Sequence, residues 1–423
     1  GAPPDGGEER CRDQGFTRPR CLVLLPTRHA ALLFIEDLMS LLGPNTSVVG
    51  LDRFQKEFGV EDEEDEEKEG EGKPADWRDA WGGNPDDDFR LGLTLTPGQG
   101  KGKGAGKGCA ARLYAEFYRA DLVLASPLGL HLAMGGEAGG GDFLSSVELL
   151  VVDQADVLLM QNWSHVQEVV SMVNQMPKKD HNTDFSRVRP YFLENHARFY
   201  RQNLIFSDFQ DPMILNLFST YCRSAAGKLK MRNKVEKGSI RYVAVTVKQI
   251  FQEIECASFQ DQDDSRFEFF EQHLLPKLLL DDQEQTLVFI PSYFDFVRVR
   301  NLLMKKEAAF AAVHEYARPS EVARGRARFF HGRLRLLLYT GRAHHARRLR
   351  LRGARHLLLY APPEYCQFYP ELVNLLEEAT VSGQATTCMT LFTKYEKMAL
   401  ERIVGSKRCK HMLQSEKRTF LFC

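Results

Sequence analysis

The sequence predicts an α/β protein of two tandem domains, each built on a mostly parallel sheet. Short apolar runs rich in branched side chains, typical of strands buried on both faces, alternate with longer segments of helical periodicity. The alternation occurs in both halves of the 423 residues. A polar, basic stretch without periodicity, Gly227–Gly238, lies between the halves and suits a crossing between domains.

Composition excludes several classes of protein. No apolar run reaches the roughly 18 residues that a membrane-spanning helix needs, and the start of the chain lacks the features of a signal peptide. The nine cysteines are scattered without a C-x-x-C pair, so we expect neither a disulfide framework nor a metal site. We expect a protein of the reducing cell interior without a membrane partner. Because the chain opens without methionine, we also expect the first domain to be incomplete at its amino terminus.

The first domain is predicted at residues 14–230, after a disordered start at 1–13. A helix is predicted at Ala30–Leu42, where Gly43 and Pro44 stop the periodic pattern. The predicted strands are Cys21–Leu25, Phe89–Thr96, Asp121–Ala125, Leu149–Val152 and Arg201–Ser207.

A disordered insertion is predicted at about 59–108, interrupted only by the strand just named. Glu61–Glu71 contains nine acidic residues and one lysine, a composition typical of solvated loops. The glycine-lysine tract at 98–108 is similar to a phosphate-binding P-loop, but Gly108 stands where that loop needs a serine or threonine hydroxyl for magnesium. We interpret the tract as a low-complexity loop.

The second domain is predicted at residues 231–423. Its predicted strands are Arg241–Val247, Thr286–Ile290, Ala311–Tyr316, Arg335–Thr340, His356–Ala361 and Thr386–Phe392. Its predicted helices include Arg266–Leu280, Tyr293–Lys305 and Glu364–Glu378.

The stretch Glu148–Trp163 is the most informative part of the first domain. Its apolar run ends on Asp153, Gln154, Ala155 and Asp156, and the carboxyl end of a parallel strand is where open α/β sheets bind ligands. Alternatively, the two aspartates cap the helix that follows. A neutral amide at Gln154 can hold a water molecule but cannot accept its proton.

A basic segment marks the second domain. Val322–Pro363 has eleven arginines and no acidic residue, which indicates a phosphate-binding surface. We expect its second half to be an exposed loop between two buried strands that binds RNA through Arg342, Arg347, Arg348, Arg350 and Arg352. A solvated loop without a partner is the alternative, and we expect His344 and His345 to be ordinary surface residues.

Five segments, in order, are similar to motifs of the two-domain cores of DEAD-box RNA helicases. They are LPTRHAA (25–31), ASPLG (125–129), DQAD (153–156), RQNLIFSDF (201–209) and TLVFIPSY (286–293). More closely, GFTRPR, DDDFRLG, SPLGL, LLVVDQADVLLMQNW, DFSRVR, IPSYFDFVRVRN and MLQS resemble the digestive organ expansion factor family, also called U3 small nucleolar RNA-associated protein 25. This resemblance runs from about Gln14 to the carboxyl terminus.

The resemblance implies two RecA-like domains and a helicase-like subunit of the small-subunit processome in the nucleolus of the nucleus. It also implies precursor ribosomal RNA, small nucleolar RNA and other processome proteins as partners, and RNA-binding positions at Thr27, Arg28, Ser126 and Gly129. Thr27 and Ser126 can instead simply start helices.

Three departures from a working helicase predict a non-catalytic protein without a nucleotide cofactor. Gln154 replaces the glutamate that activates water, no G-K-[ST] loop precedes the first matched motif, and Glu364–Leu376 lacks arginine where such enzymes place arginines on the phosphate. An active RNA-dependent ATPase with its phosphate loop in a missing segment, or a module that docks proteins rather than RNA, are the alternatives.

Overall fold

The computed structural model describes residues 12–43, 46–60, 72–97, 109–135, 140–232, 235–280 and 284–422. The chain divides into two compact units, Gly1–Met231 and Arg232–Cys423. Each unit is built on one seven-stranded sheet.

The sheet of unit 1 has the strand order β2-β4-β3-β5-β1-β6-β7. Its strands are β1 (Cys21–Leu24), β2 (Ser47–Val49), β3 (Arg90–Pro97), β4 (Cys109–Leu113), β5 (Leu122–Ala125), β6 (Leu149–Val152) and β7 (Gln202–Ile205). Its helices are α1 (Arg28–Leu42), α2 (Leu51–Phe58), α3 (Ala75–Trp81), α4 (Pro127–Met134), α5 (Ala155–Met160), α6 (Trp163–Met172), α7 (Pro190–Leu193), α8 (Ala197–Tyr200) and α9 (Pro212–Thr220). Strand β3 is antiparallel to both of its neighbours, and the other pairs are parallel.

The sheet of unit 2 has the order β10-β11-β9-β12-β13-β8-β14, and only the edge strand β14 is antiparallel to its neighbour. Its strands are β8 (Lys248–Glu253), β9 (Thr286–Ile290), β10 (Phe310–Val313), β11 (Leu336–Thr340), β12 (His356–Leu359), β13 (Thr387–Phe392) and β14 (Thr419–Phe422). Its helices are α10 (Gln262–Phe269), which continues through the π-turn Phe270–Leu274 into α11 (Leu275–Leu278), then α12 (Tyr293–Lys305), α13 (Pro319–Phe330), α14 (Gly341–Arg347), α15 (Phe368–Asn374), α16 (Glu377–Val381), α17 (Lys397–Val404) and α18 (Ser406–Gln414).

The central strands are apolar on both faces because both faces are covered. In β1, Leu22 and Leu24 pack into one buried cluster, whereas Val23 and the following Leu25 pack into another. Successive side chains of a strand point to opposite faces, so these two clusters lie on opposite sides of the sheet. A run without alternation is therefore the correct sequence signal for such a strand.

The predicted fold class is confirmed, since both units are α/β with mostly parallel sheets. Strands Leu149–Val152 and Thr286–Ile290 and helix Tyr293–Lys305 have the predicted bounds. The predicted strand Arg241–Val247 is wrong. That segment begins in a 3-10 turn at Ser239–Tyr242, and the strand is the polar Lys248–Glu253, which is held by pairing with β13 and β14 rather than by apolar character.

The predicted disordered insertion is wrong for residues 72–88, which include helix Ala75–Trp81. The strand predicted within the insertion at Phe89–Thr96 corresponds to strand Arg90–Pro97. Trp77 is buried and fixes that helix on unit 1. The acidic run at 61–71, the glycine-lysine tract at 98–108 and most of the predicted disordered start lie outside the described residues.

Two expectations drawn from the composition can be compared with the described residues. No helix within them is long and apolar enough to cross a membrane. The seven cysteines within the described ranges are free.

Candidate functional site

Four parallel strands of unit 1 end at one edge of the sheet. Leu24 of β1 is level with Ala125 of β5 and with Val152 of β6, and Val152 is level with Ile205 of β7. The residues that follow these strands therefore lie side by side. They include Thr27, Ser126, Asp153 and Asp208, so the structure brings together the motifs that the sequence places far apart.

The turn after β6 holds its backbone in an unusual conformation. Gln154 has φ 48° and ψ 48°, the left-handed region that residues with a side chain rarely adopt. Its amide donates to Asp153 Oδ1 at 2.9 Å, while the amide of Asp153 donates to the carbonyl of Leu24 at 3.0 Å. Helix α5 starts directly afterwards, at Ala155.

The two aspartates of this turn have a role other than the side-chain capping that the sequence left open. Helix α5 begins without a side-chain capping hydrogen bond. Asp156 is buried, and its Oδ1 accepts a hydrogen bond from the backbone amide of Asp208 at 3.1 Å. This contact ties the turn after β6 to the turn after β7, which corresponds to the interpretation of the stretch as one ligand-binding edge.

Acidic charge is concentrated at this edge. Burial raises the pKa of Asp153, the charge of Asp156 raises it further, and the hydrogen bond from Gln154 lowers it. Burial also raises the pKa of Asp208, again with a contribution from Asp156. Desolvated neighbouring carboxylates favour protonation or a nearby cation. Asp153, Asp156 and Asp208 therefore make this edge of the sheet acidic.

Two of the predicted RNA-binding residues start helices. Thr27 accepts a hydrogen bond from Ala30 at the start of α1, and Ser126 accepts one from Gly129 at the start of α4. Both side chains are fully buried. The capping alternative left open by the sequence therefore describes these side chains, although the amino ends of both helices face the edge described above.

Gly129 permits a close approach between α4 and the start of β3. A Cβ atom at this position would lie 2.2 Å from the carbonyl oxygen of Phe89. No side chain fits that space, so packing alone requires glycine at this position.

Arg28 is held by unit 1 itself. Its guanidinium pairs with Asp86 at 2.9 Å and donates to the carbonyl oxygens of Glu57 and Asp88. It also lies 5.5 Å from the ring centre of Phe58. These contacts fasten the start of α1 to α2 and to the segment before β3.

The arginine segment of unit 2 is not the predicted exposed loop. Its first part is helix α14, capped by Thr340. Arg348 is buried, with Nε 3.1 Å from Glu371 Oε2 and its guanidinium 4.1 Å from the ring centre of Phe368. Burial of a guanidinium requires an anionic partner, and Glu371 arrives from α15, an element that follows the arginine segment in sequence.

The other arginines are spread along the sheet rather than gathered in one patch. The segment begins at the carboxyl end of β11 and ends at the amino end of β12. Arg342 and Arg355 therefore lie near opposite ends of the parallel strands. Arg352 pairs with Glu378 at 3.0 Å, and Arg347 donates to backbone carbonyls after β10. Arg350 and Arg352 are exposed, whereas Arg342 and Arg347 are half-buried.

The two histidines of this segment are buried, so the expectation of surface histidines is wrong. His344 contacts Glu371 Oε2 through Nε2 at 3.0 Å and the hydroxyl of Tyr339 through Nδ1 at 3.2 Å. His345 packs against the ring of Tyr365 with centroids 4.8 Å apart. Both side chains point inward because α14 packs on β11 and α15.

Comparison with known proteins identifies the family. The family model described as "UTP25, NTP hydrolase-like domain" matches residues 3–229, and "Utp25, C-terminal domain" matches residues 239–422. The chain belongs to the UTP25 family. The resemblance inferred from the sequence motifs is confirmed, and the two family domains fall on the two units of the structure.

UTP25 relatives match almost the whole chain. Protein NUCLEOLAR FACTOR 1 of Arabidopsis thaliana is 39% identical and covers 97% of this chain and 55% of its own length. U3 small nucleolar RNA-associated protein 25 of Schizosaccharomyces pombe is 40% identical over 97% of this chain and 62% of its own. The human homologue is 40% identical over 99% of this chain and 54% of its own. The chain thus spans roughly half to three fifths of these relatives.

The comparison with solved structures returned DEAD-box proteins. A DEAD box protein of Methanococcus jannaschii aligns with 96% of this chain and 80% of its own at 14% identity, but its TM-score of 0.29 is too low to support a conclusion.

Sequence reasoning missed one group of residues with ligand chemistry. His131 of α4 lies beside His165 and Glu168 of α6, with one ligand atom of each within 4.8 Å of the others. The spacing His165-x-x-Glu168 places two of them on one helix face, but only the packing of α4 on α6 adds the third.

Proposed function

We propose that this UTP25 chain is a non-catalytic, helicase-like scaffold of the small-subunit processome. In this role it holds precursor ribosomal RNA, U3 small nucleolar RNA and neighbouring processome proteins in the nucleolus, and so supports rRNA processing and 18S rRNA maturation. One observation carries the proposal: about 40% identity, across both units, to proteins named for their association with U3 small nucleolar RNA.

The absence of catalysis is proposed from one residue and one segment of the sequence. Gln154 cannot act as the general base that a glutamate supplies, and a positioned base is typically worth roughly a hundred- to ten-thousand-fold in rate. Segment Glu364–Leu376 has no arginine. A phosphate-contacting arginine is worth roughly a thousand- to a hundred-thousand-fold, or about 4 to 7 kcal/mol.

The structure adds a reason to regard Glu364–Leu376 as a packing element. Helix α15 buries Phe368, Tyr369, Leu372 and Val373, and its Glu371 forms an ion pair with the buried Arg348. In this proposal the helix stabilises unit 2 and has no part in nucleotide chemistry.

RNA contacts in unit 2 are proposed for the arginines that reach the surface. Arg350 and Arg352 are exposed, and Arg342 and Arg347 are half-buried, so their guanidinium groups can approach phosphates. Arg348 is excluded from this set because Glu371 and Phe368 hold it inside the unit. In unit 1, RNA contact is proposed for the backbone at Thr27, at the start of α1, because its hydroxyl side chain is buried. The backbone amides of Ser126 and Gly129 already donate to the Phe89 carbonyl and to Ser126 Oγ, so these two residues position the start of α4.

Crosslinking in living cells, followed by sequencing of the attached RNA, tests the proposal. We expect enrichment of precursor ribosomal RNA and U3 small nucleolar RNA over an uncrosslinked control. Recovery of processome proteins without enriched RNA would contradict RNA holding and would support a protein-docking module instead.

The salt dependence of RNA binding tests the arginine contacts in vitro. Each phosphate contact on single-stranded RNA contributes about −0.7 to the slope of log affinity against log salt. The double variant Arg350→Gln and Arg352→Gln should therefore flatten the slope by about 1.4. The matched control, Lys305→Gln with Lys306→Gln, removes the same charge from exposed positions at the end of α12. Equal slopes for both variants would contradict these arginine contacts.

A further inference from the structure

Two helices of unit 1 bring three potential metal ligands together. Helices α4 and α6 pack against each other, with His131 on α4 and with His165 and Glu168 on α6. His131 Nδ1 lies 2.7 Å from Glu168 Oε2, and the two imidazole rings have centroids 4.2 Å apart. We infer that His131, His165 and Glu168 form a binding site for one divalent transition-metal ion of the zinc class.

One ring nitrogen of His165 is buried without a hydrogen-bond partner among the described residues. Its Nε2 takes a hydrogen bond from the amide of Asn162 at 2.9 Å, whereas its Nδ1 is buried without a hydrogen-bond partner among the described residues. A buried polar atom without a partner costs about 1 to 3 kcal/mol. A metal ion on Nδ1 would supply the partner. The ring proton would then move to Nε2 at the cost of the hydrogen bond from the Asn162 side chain, whose oxygen stays bound to Ser164 at the start of α6.

The distances require only small side-chain movements. Zinc binds imidazole nitrogen at about 2.0 to 2.1 Å and carboxylate oxygen at about 2.0 to 2.2 Å, so two ligands of a tetrahedral ion lie about 3.4 Å apart. The three ligand atoms are within 4.8 Å of one another here. Glu168 is exposed and both histidines are half-buried, so rotation about their side-chain bonds can close the remaining gap.

The ligand set selects the class of ion. Two imidazoles with one carboxylate suit zinc and similar borderline ions rather than calcium or magnesium, which prefer oxygen ligands. Three protein ligands leave a fourth position for water or another ligand.

A bound ion would crosslink two functional segments. Helix α4 directly follows Ser126, and α6 follows the acidic turn at Asp153–Asp156 and the short helix α5. The ion would link the second half of α4, which carries His131, to the first two turns of α6, which carry His165 and Glu168. This structural role is independent of nucleotide and of RNA.

Zinc competition against a chromogenic chelator tests the site in untagged, metal-stripped protein. We expect one zinc ion per chain at high affinity. Glu168→Gln should weaken binding at least tenfold because it removes an anionic ligand, and His165→Ala should do the same. Glu168 is exposed, so Glu168→Gln is expected to leave the urea unfolding midpoint of the metal-free protein unchanged, which keeps the test valid if His165→Ala misfolds.

The matched control is His196→Ala. His196 also pairs with a glutamate, Glu194, at 3.3 Å, but both are exposed and belong to no three-residue group among the described residues. Its zinc affinity should equal that of the unsubstituted chain. A chain that binds no stoichiometric zinc, or one whose affinity is the same in Glu168→Gln and His196→Ala, would overturn the inference and leave the three residues as a hydrogen-bonded polar cluster.

Discussion

Replacing Arg348 by glutamine should destabilise unit 2, contrary to what an exposed arginine loop would give. The substitution removes a guanidinium that contacts Glu371 at 3.1 Å and lies 4.1 Å from the ring centre of Phe368. Glutamine is too short and uncharged to replace either contact, so Glu371 Oε2 would lose the guanidinium and retain its contact with His344.

The magnitude follows from the burial of the pair. Breaking a fully buried ion pair costs about 3 to 5 kcal/mol. The Arg348 side chain is 4% exposed but that of Glu371 is 26% exposed, so solvent compensates part of the loss and about 2 kcal/mol is expected from the pair. Loss of the cation–π contact adds about 1 kcal/mol. The expected total is about 3 kcal/mol.

Urea unfolding with two probes can assign this loss to one unit. The three tryptophans, Trp77, Trp81 and Trp163, all lie in unit 1, so tryptophan fluorescence follows that unit. Far-ultraviolet circular dichroism follows both units. For a slope of about 2 to 3 kcal/mol per molar urea, the midpoint of the unit 2 transition should fall by about 1 to 1.5 M, while the fluorescence midpoint stays constant.

Arg352→Gln is the matched control, because it removes an arginine of the same segment from an exposed pair. The side chains of Arg352 and Glu378 are 66% and 50% exposed, and such pairs contribute about 0.5 kcal/mol or less. If Arg348→Gln and Arg352→Gln unfold at the same urea concentration, the burial of Arg348 in the structure is refuted.

Three further substitutions have defined outcomes in urea unfolding. Phe289→Ala should lower the free energy of unfolding of unit 2 by about 3 to 5 kcal/mol, since the ring is fully buried in the central strand β9. An unchanged urea midpoint by circular dichroism would refute the burial of Phe289. Gly129→Ala should cost unit 1 about 1 to 3 kcal/mol because its methyl group would meet the Phe89 carbonyl, and an unshifted fluorescence midpoint would contradict this contact. Burial raises the pKa of Asp295 from 3.8 to about 6, so its contribution to stability is complete below about pH 4 and is lost as the pH rises through 6. Relative to the unsubstituted chain, Asp295→Asn should therefore gain about 2 to 3 kcal/mol between pH 4 and pH 7.5, and a constant difference would contradict the raised pKa.

The sequence could predict the buried parallel strands because their signal is local. A strand covered on both faces, such as Leu149–Val152, is an uninterrupted apolar run that ends where the sheet ends. Strand Lys248–Glu253 was not predicted because pairing with neighbouring strands stabilises it. The adjacent segment Arg241–Val247 is richer in β-branched residues and so has the higher local strand propensity.

The candidate sites show the limit of local signals. The sequence placed Asp153–Asp156 at a strand end, and the structure places it beside Asp208. The sequence could not show that Arg348 is buried, because its partner Glu371 comes from a different element. The same holds for His131, which meets His165 and Glu168 only through helix packing.

ATP hydrolysis by the purified protein, with and without saturating single-stranded RNA, tests the central claim of a non-catalytic helicase-like scaffold most directly. The expected result is no RNA-stimulated turnover above that of Asp153→Ala, and no gain in Gln154→Glu, because one restored carboxylate does not supply the arginine that Glu364–Leu376 lacks. RNA-stimulated turnover that Asp153→Ala abolishes would contradict the claim and identify an active ATPase.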